Sequence, residues 1–198
     1  AGNGQTLHVD FTPADTANYA TASKDVFINV TPLAITVTVT PGQSKVYGQL
    51  DPLPLTYSSD PLVGGDSFSG ALSRVAGESV GVYFIEQGTL ALNSNYTLSF
   101  IGGTFTISAR NITVAADDNG KSYGDSDPVL TYRITSGSLA AGDSFSGSLS
   151  RVVGEDTGTY DIEQGTLALS SNYNLTFIKG TLTISVRNIT VTAGNESK

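Results

Sequence analysis

The chain has 198 residues, of which 39% are hydrophobic and 14% charged, and its net charge is −8. Disorder needs low hydrophobicity with high charge, and nucleic-acid binding needs a basic surface, so the composition disfavours both. Cysteine is absent, which excludes disulfides, thiol nucleophiles and thiolate metal sites. No apolar run approaches 18 residues, so we expect no membrane insertion in this stretch.

The first 33 residues predict two strands, over 5–11 and 24–30. The segment 1–33 resembles the C-terminal part of a preceding Ig-like or related β repeat. Because residue 1 is not methionine, we expect the chain to begin inside a longer polypeptide or after processing. His8 is the one histidine. It lacks the partners of a triad or a zinc site, so we expect an ordinary strand position.

An internal repeat dominates the rest of the chain. The stretch that starts DSFSG at Asp66 returns, little changed, at Asp143, 77 positions later. The pattern predicts repeat one over 34–110, repeat two over 111–187 and the first strand of a third repeat over 188–198. Solenoid units run about 20–50 residues, so this longer period predicts small modules, each with its own core. No flexible linker separates them at Arg110, which favours a stiff rod.

Strand signals fill each repeat. Residues 35–40 and 111–116 alternate between apolar and polar side chains, and shorter β-type runs cover 55–57, 70–75, 81–88, 96–100 and 103–108. Helical periodicity is missing, and at most a single helical turn is expected near 61–66 and 138–143. We therefore predict an all-β chain of tandem small antiparallel β modules, β-grasp-like or Ig-like sandwiches, in an elongated array. The predicted core positions are Val37, Leu55, Phe68, Tyr83, Ile85, Leu90, Tyr96, Phe100 and Ile107.

Both repeats contain the pattern Lys-x-Tyr-Gly-x-x-Asp-Pro. Its distinctive residues are Tyr47, Gly48, Asp51 and Pro52, and then Tyr123, Gly124, Asp127 and Pro128. The glycine suits a turn with positive φ, and Asp-Pro suits a turn or a strand start. The tyrosine suits a core edge, with a sugar-stacking surface as the alternative.

With the downstream GDSFSG, LSR and NY motifs, this pattern resembles the MBG repeat family of YGX type over about 34–187. The resemblance implies mostly-β, β-grasp-like modules in tandem within large bacterial exoproteins and adhesins. It carries no catalytic motif, and it gives the eight signature residues a structural role.

Carboxylates that recur in both repeats are the nearest approach to catalytic groups. They are Glu78, Glu86, Glu155 and Glu163. Paired carboxylates can do acid–base chemistry, but enzymes rarely copy an active site in tandem. We expect Glu78 with Arg74, and Glu155 with Arg151, to form ion pairs at hairpin ends. The chain is therefore predicted not to be an enzyme.

Aspartates in repeat two raise the question of calcium. The candidates Asp117, Asp118, Asp125 and Asp127 offer hard oxygen ligands, but repeat one has fewer carboxylates at the matching positions. We expect no required cofactor, with Ca²⁺ as the alternative. Lys45 and Lys121 occupy equivalent positions, where a Lys–Asn cross-link of the kind found in surface-protein β domains stays open.

These features predict structural stalk or spacer repeats of a large secreted or cell-surface bacterial adhesin, which project a distal functional region. The alternatives are weak multivalent adhesion to glycan or protein by the repeats themselves, and head-to-tail assembly by strand exchange through 5–30 and 188–193. The expected partners are neighbouring repeats of the chain, with a glycan or a cell-surface protein as further candidates.

Overall fold

The structure, a computed structural model, describes residues 1–195 and contains sixteen strands there. An N-terminal hairpin consists of β1 (Gly2–Phe11) and β2 (Ala22–Val30). Repeat one contains β3 (Leu33–Val39), β4 (Ser44–Val46), β5 (Tyr57–Ser59), β6 (Ser73–Arg74), β7 (Gly81–Glu86), β8 (Tyr96–Ile101) and β9 (Gly103–Ser108). Repeat two contains β10 (Arg110–Ala116), β11 (Asn119–Ser122), β12 (Tyr132–Ser136), β13 (Ser150–Arg151), β14 (Gly158–Glu163), β15 (Tyr173–Ile178) and β16 (Gly180–Ser185). The all-β prediction is confirmed.

Each repeat contains a three-stranded and a four-stranded sheet. Their orders are β12-β10-β15 and β11-β16-β14-β13 in repeat two, and β5-β3-β8 and β4-β9-β7-β6 in repeat one. The predicted antiparallel pairing holds for most strand pairs, but β3 pairs with β8, and β10 with β15, in parallel. A parallel pair needs a long connection, and the intervening strands of each repeat provide it. The segments 61–66 and 138–143, where at most one helical turn was expected, contain hydrogen-bonded turns and no helix.

The core of each repeat follows the alternation of its strands. In repeat two, Ile112 and Val114 of β10 are buried, and Ala116 packs with Ile162 of β14 and Leu182 of β16. This cluster joins the inner faces of the two sheets, as in a small sandwich. In repeat one the predicted core positions Val37, Leu55, Ile85, Leu90, Tyr96 and Ile107 are buried. The predicted positions Phe68, Tyr83 and Phe100 are only half-buried.

The N-terminal hairpin has no buried face among its strand residues. β1 and β2 pair antiparallel with a register shift between Gly2 and Gln5, and every strand position after Gly2 is exposed. Large apolar side chains such as Phe27 are therefore open to solvent, at 70% exposure. The strands predicted over 5–11 and 24–30 are both present.

Residues 186–195 form no strand, although 188–193 match residues 111–116 of β10 at five of six positions. β3 and β10 each pair with a later strand of their own repeat, and 188–193 find no such partner among the described residues. The rest of the expected third-repeat segment, 196–198, lies outside the described residues. Among residues 1–195, the structure contains no helix of the length and apolarity that crossing a membrane requires.

The chain divides into two compact units. The first holds Ala1–Ser44, Asp51–Gly77 and Val82–Thr106, and the second holds Lys45–Leu50, Glu78–Gly81 and the chain from Ile107 onward. Two short segments of repeat one, 45–50 and 78–81, therefore belong to the same unit as repeat two. The predicted bounds 1–33, 34–110, 111–187 and 188–198 stay predictions.

Candidate functional site: the signature cluster and the end of a repeat

The Tyr-Gly pair of the signature forms a tight turn at the end of a short strand. In repeat two, Tyr123 follows β11, and its N–H donates to the Ser185 carbonyl at 2.8 Å. Gly124 then adopts φ +86°, and Gly48 in repeat one adopts φ +78°. Only glycine enters this left-handed region without strain. The glycine of the signature is therefore explained by backbone geometry.

The Asp of the signature is held by the Arg of the LSR motif. Arg151 donates from Nε and Nη2 to the two oxygens of Asp127, at 2.6 and 3.0 Å. Its Nη1 also donates to the carbonyls of Val152 and Gly154, at 3.0 and 2.6 Å. This planar fork matches the carboxylate in a way that a lysine could not. Asp127 thereby ties the signature loop to β13.

The Lys of the signature and the Glu of the GE motif complete the cluster. The Lys121 side chain is 4% exposed, and its Nζ lies 2.8 Å from Asp127 Oδ1 and in contact with Glu155. Glu155 also accepts from Arg151, so the predicted Glu155–Arg151 pair is present. Four residues that are scattered over the sequence thus form one ion network, which is termed the signature cluster below.

Charge in the signature cluster keeps every member ionised. Arg151 first, and then Lys121, hold the pKa of Asp127 down at about 2. Hydrogen bonds from Lys121 and Arg151 also lower the pKa of Glu155. In return, Asp127 and Glu155 raise the pKa of Lys121. No member is poised to exchange a proton near neutral pH, which is what acid–base catalysis would need.

The same contacts bear on cross-linking by lysine. Lys121 contacts carboxylates, and Lys45 contacts Glu78. Attack on the side-chain amide of an asparagine, with loss of ammonia, requires the lysine amine in its neutral form. Hydrogen bonds to Asp127 and Glu155 raise the pKa of Lys121, which opposes that form. The geometry therefore supports ion pairing at this lysine and not condensation.

Repeat one holds its Asp and Arg in the same way. Arg74 donates from Nε and Nη2 to Asp51, at 2.6 and 3.0 Å. Its guanidinium also lies over the rings of Tyr83 and Phe105, 5.3 and 5.2 Å from their centroids. Such contacts favour a cation that is largely shielded from water. Tyr83, predicted as core, therefore packs against this arginine.

A second constellation was missed from the sequence. The buried Tyr173 hydroxyl donates to Asp143 at 2.5 Å and accepts from the Ala140 N–H at 2.8 Å. Burial first, and then Asp143, raise the pKa of Tyr173. Repeat one has the same arrangement, in which Tyr96 donates to Asp66 at 2.6 Å. The recurrence of GD and NY thirty residues apart was the available signal. We call Ala140, Asp143, Asn172 and Tyr173 the Asn-Tyr corner of repeat two.

Within the second unit, the Asn-Tyr corner contacts the 45–50 and 78–81 segments. The rings of Tyr47 and Tyr173 meet edge to face, with their centroids 5.5 Å apart. The Val80 N–H donates to Asn172 Oδ1 at 2.9 Å. A Cβ on Gly48 would lie 2.7 Å from the Ala140 Cβ, so glycine is also required for this close approach. Tyr47 therefore contacts another ring and not an open sugar-stacking surface.

The calcium candidates contact separate partners. Asp117 pairs with Arg133, Asp118 accepts from the Thr181 N–H, Asp125 pairs with Arg187, and Asp127 lies in the signature cluster. Within residues 1–195, no three acidic or histidine side chains are grouped so that they could hold a metal ion. These aspartates therefore act, in this structure, as acceptors that tie loops to strands.

The remaining candidates lie on open surfaces. Glu163 lies 3.2 Å from Lys179, and Glu86 is exposed in β7. His8 is half exposed and contacts Asp25 across the hairpin and Asp10 on its own strand. Hydrogen bonds to these two carboxylates, Asp25 first, raise the pKa of His8. Each of these contacts is a pair on the outside of a sheet.

Comparison with known proteins agrees with the geometry of the two repeats. The family model of the MBG domain (YGX type) matches residues 35–106 and again 112–183. Neither a search of curated proteins nor a search of solved structures found a match. The family is a repeat domain and not an enzyme family. The two matches together cover most of the chain. The chain therefore belongs to the MBG domain (YGX type) family and contains two tandem copies.

Proposed function

We propose that the two repeats are structural spacers of a large bacterial exoprotein or adhesin, displayed outside the cell, that hold a distal functional region away from its anchor. The observation that carries this proposal is the use of the signature residues. In repeat two, Lys121, Asp127, Arg151 and Glu155 are all engaged with one another. These four residues of the repeated motifs thus support the fold by pairing with one another.

The spacer role also needs a joint that restricts motion. β9 ends at Ser108 and β10 begins at Arg110, so one residue separates the last strand of repeat one from the first strand of repeat two. A connection this short leaves few backbone torsions free, unlike a flexible Gly/Ser linker. The Arg110 N–H also donates to the Asn172 carbonyl at 2.9 Å. These features favour a chain in which added copies add length.

Adhesion by the repeats themselves is the alternative, and the exposed faces argue against it. In repeat one, Val82 and Phe84 expose 66% and 70% of their surface on β7. The equivalent positions in repeat two are Thr159 and Asp161. A ligand surface that worked by multivalency would be repeated from copy to copy. This aromatic face is not.

Small-angle scattering of the purified chain tests the spacer role. The proposal predicts an elongated particle whose pair-distance distribution has a long tail. A compact, globular profile would refute it. Glycan arrays and cell-surface binding assays with the same chain test the adhesive alternative. That alternative requires the isolated chain to bind, whereas the spacer role does not. The molecular mass in solution tests head-to-tail assembly by strand exchange, which predicts oligomers at high concentration.

A further inference from the structure

The Asn-Tyr corner contacts the turn at Tyr47, and repeat two has an equivalent turn at Tyr123. Within residues 1–195, no Asn-Tyr corner contacts that second turn. Tyr123 and Gly124 correspond to Tyr47 and Gly48, and Thr157 corresponds to Val80. Tyr123, Asp156, Thr157, Val186, Arg187 and Ile189 line an open depression. We call these residues, with Gly124, the end surface of repeat two.

The end surface has the same arrangement of glycine and arginine as the turn at Gly48, which contacts the Asn-Tyr corner. A Cβ on Gly48 would lie 3.0 Å from Nη1 of Arg110, and a Cβ on Gly124 would lie 3.1 Å from Nη1 of Arg187, the equivalent arginine. At Gly48 the Ala140 Cβ lies closer still, whereas at Gly124 the one neighbour within 4 Å among residues 1–195 is Arg187. Tyr123 is 49% exposed, and Tyr47 is half-buried. The two turns thus share the glycine and arginine geometry and differ in the exposure of the tyrosine.

The residues after Arg187 indicate what the occupant is. Residues 188–191 repeat the sequence NITV of 111–114. In repeat two this sequence is the core strand β10, where Ile112 and Val114 are 1% and 0% exposed. Ile189 and Val191 are instead 83% and 87% exposed. Burying them in the same way requires the later strands of a further repeat, and such a repeat would present its own corner beside the end surface.

We propose that the end surface of repeat two binds the Asn-Tyr corner of a following YGX-type repeat. The Thr157 N–H donates to the side-chain oxygen of the incoming asparagine, as the Val80 N–H does to Asn172. The Tyr123 ring meets the incoming tyrosine edge to face, and a small apolar residue packs on Gly124. Repeat one shows that the corner varies little, since Val63, Asn95 and Tyr96 occupy its positions.

The proposed contact deepens the spacer role, because it is the contact that each added repeat would make, and its biological purpose rests on that role. The test uses the chain with residues 188–198 replaced by a second copy of 111–187. Because the chain contains no cysteine, introduced pairs report without background. The new pair is Thr157→Cys with cysteine at the added copy's equivalent of Asn172. The reference pair in the same protein is Val80→Cys with Asn172→Cys.

We expect both pairs to form a disulfide under mild oxidation at rates within about threefold of each other. Cysteine at Val153, which is 94% exposed on repeat two, serves as the mismatched partner and should react at least tenfold more slowly. A Thr157 pair that reacts no faster than the Val153 pair would overturn the proposal. A slow reference pair would overturn it as well, since the proposed contact is copied from that joint.

Nitration of tyrosine gives an independent readout without cysteine. Tyr123 should be nitrated readily in the original chain and should be protected at least fivefold in the extended chain, to the level of Tyr47. Equal nitration of Tyr123 in both chains would contradict docking. An extended scattering profile combined with failed cross-linking would leave the spacer role standing and remove the docking surface.

Discussion

Tyr173→Phe tests the Asn-Tyr corner with the loss of one oxygen atom. The change keeps the ring against Tyr47 but removes the acceptor for the Ala140 N–H and the donor to Asp143. A hydrogen bond to a charged group contributes about 1.5–3 kcal/mol, and a part-buried N–H left without its acceptor adds to the loss. Since Asp143 can turn to water, we expect a cost of about 2 kcal/mol to repeat two.

Amide hydrogen exchange is the suitable assay, because a chain of two units need not unfold in one transition. A loss of about 2 kcal/mol corresponds to a roughly 30-fold faster exchange wherever the corner must open. The Ala140 amide, which donates directly to the tyrosine, should show at least this increase. The control is Tyr19→Phe in the hairpin, whose side chain is 67% exposed. Unchanged exchange at Ala140 would refute the assignment of the corner.

Three further changes test the fold and the signature cluster. Gly147→Ala should destabilise repeat two by more than about 2 kcal/mol in urea unfolding, because the added Cβ would overlap a backbone carbonyl. Gly142 also has a positive φ but lies in open space, so Gly142→Ala should lower the free energy of unfolding by about 1 kcal/mol. Leu182→Ala should cost about 3 kcal/mol, since the side chain is 0% exposed. The lowered pKa values of Asp127 and Glu155 mean that their stabilisation is present above about pH 4.5 and is lost as the pH falls toward 2. Melting temperature should therefore drop over that window, and Asp127→Asn should flatten the drop; an equal slope in the variant would count against the ion network.

Much of the strand content could be predicted because alternation is a local signal. The run at 35–40 contains the buried positions of β3, and 111–116 contains those of β10. Strand direction was not predictable in this way. Alternation is the same for parallel and antiparallel pairs, so the parallel pairing of β3 with β8 depends on tertiary contacts about sixty residues apart.

Only part of the signature cluster could be predicted from the sequence. The glycine and the Asp-Pro turn follow from residue chemistry, and the Glu155–Arg151 pair lies within one sequence window. The convergence of Lys121, Asp127 and Arg151 requires the fold, because β11 and β13 occupy opposite edges of one four-stranded sheet in the strand order. The strand predicted over 188–193 also depends on tertiary contacts. Its residues favour β structure, but a strand needs a neighbour to pair with, and residues 1–195 provide none for it.

Residual dipolar couplings of the whole chain test the central claim most directly, which is that successive repeats are joined stiffly enough to act as spacers. If the joint at Tyr47, Val80 and Asn172 persists in solution, couplings from repeat one and repeat two fit one alignment tensor. Asn172→Ala should loosen the joint and reduce the alignment of one repeat relative to the other. Two tensors of clearly different magnitude in the unaltered chain would show independent motion of the repeats and would contradict the spacer account.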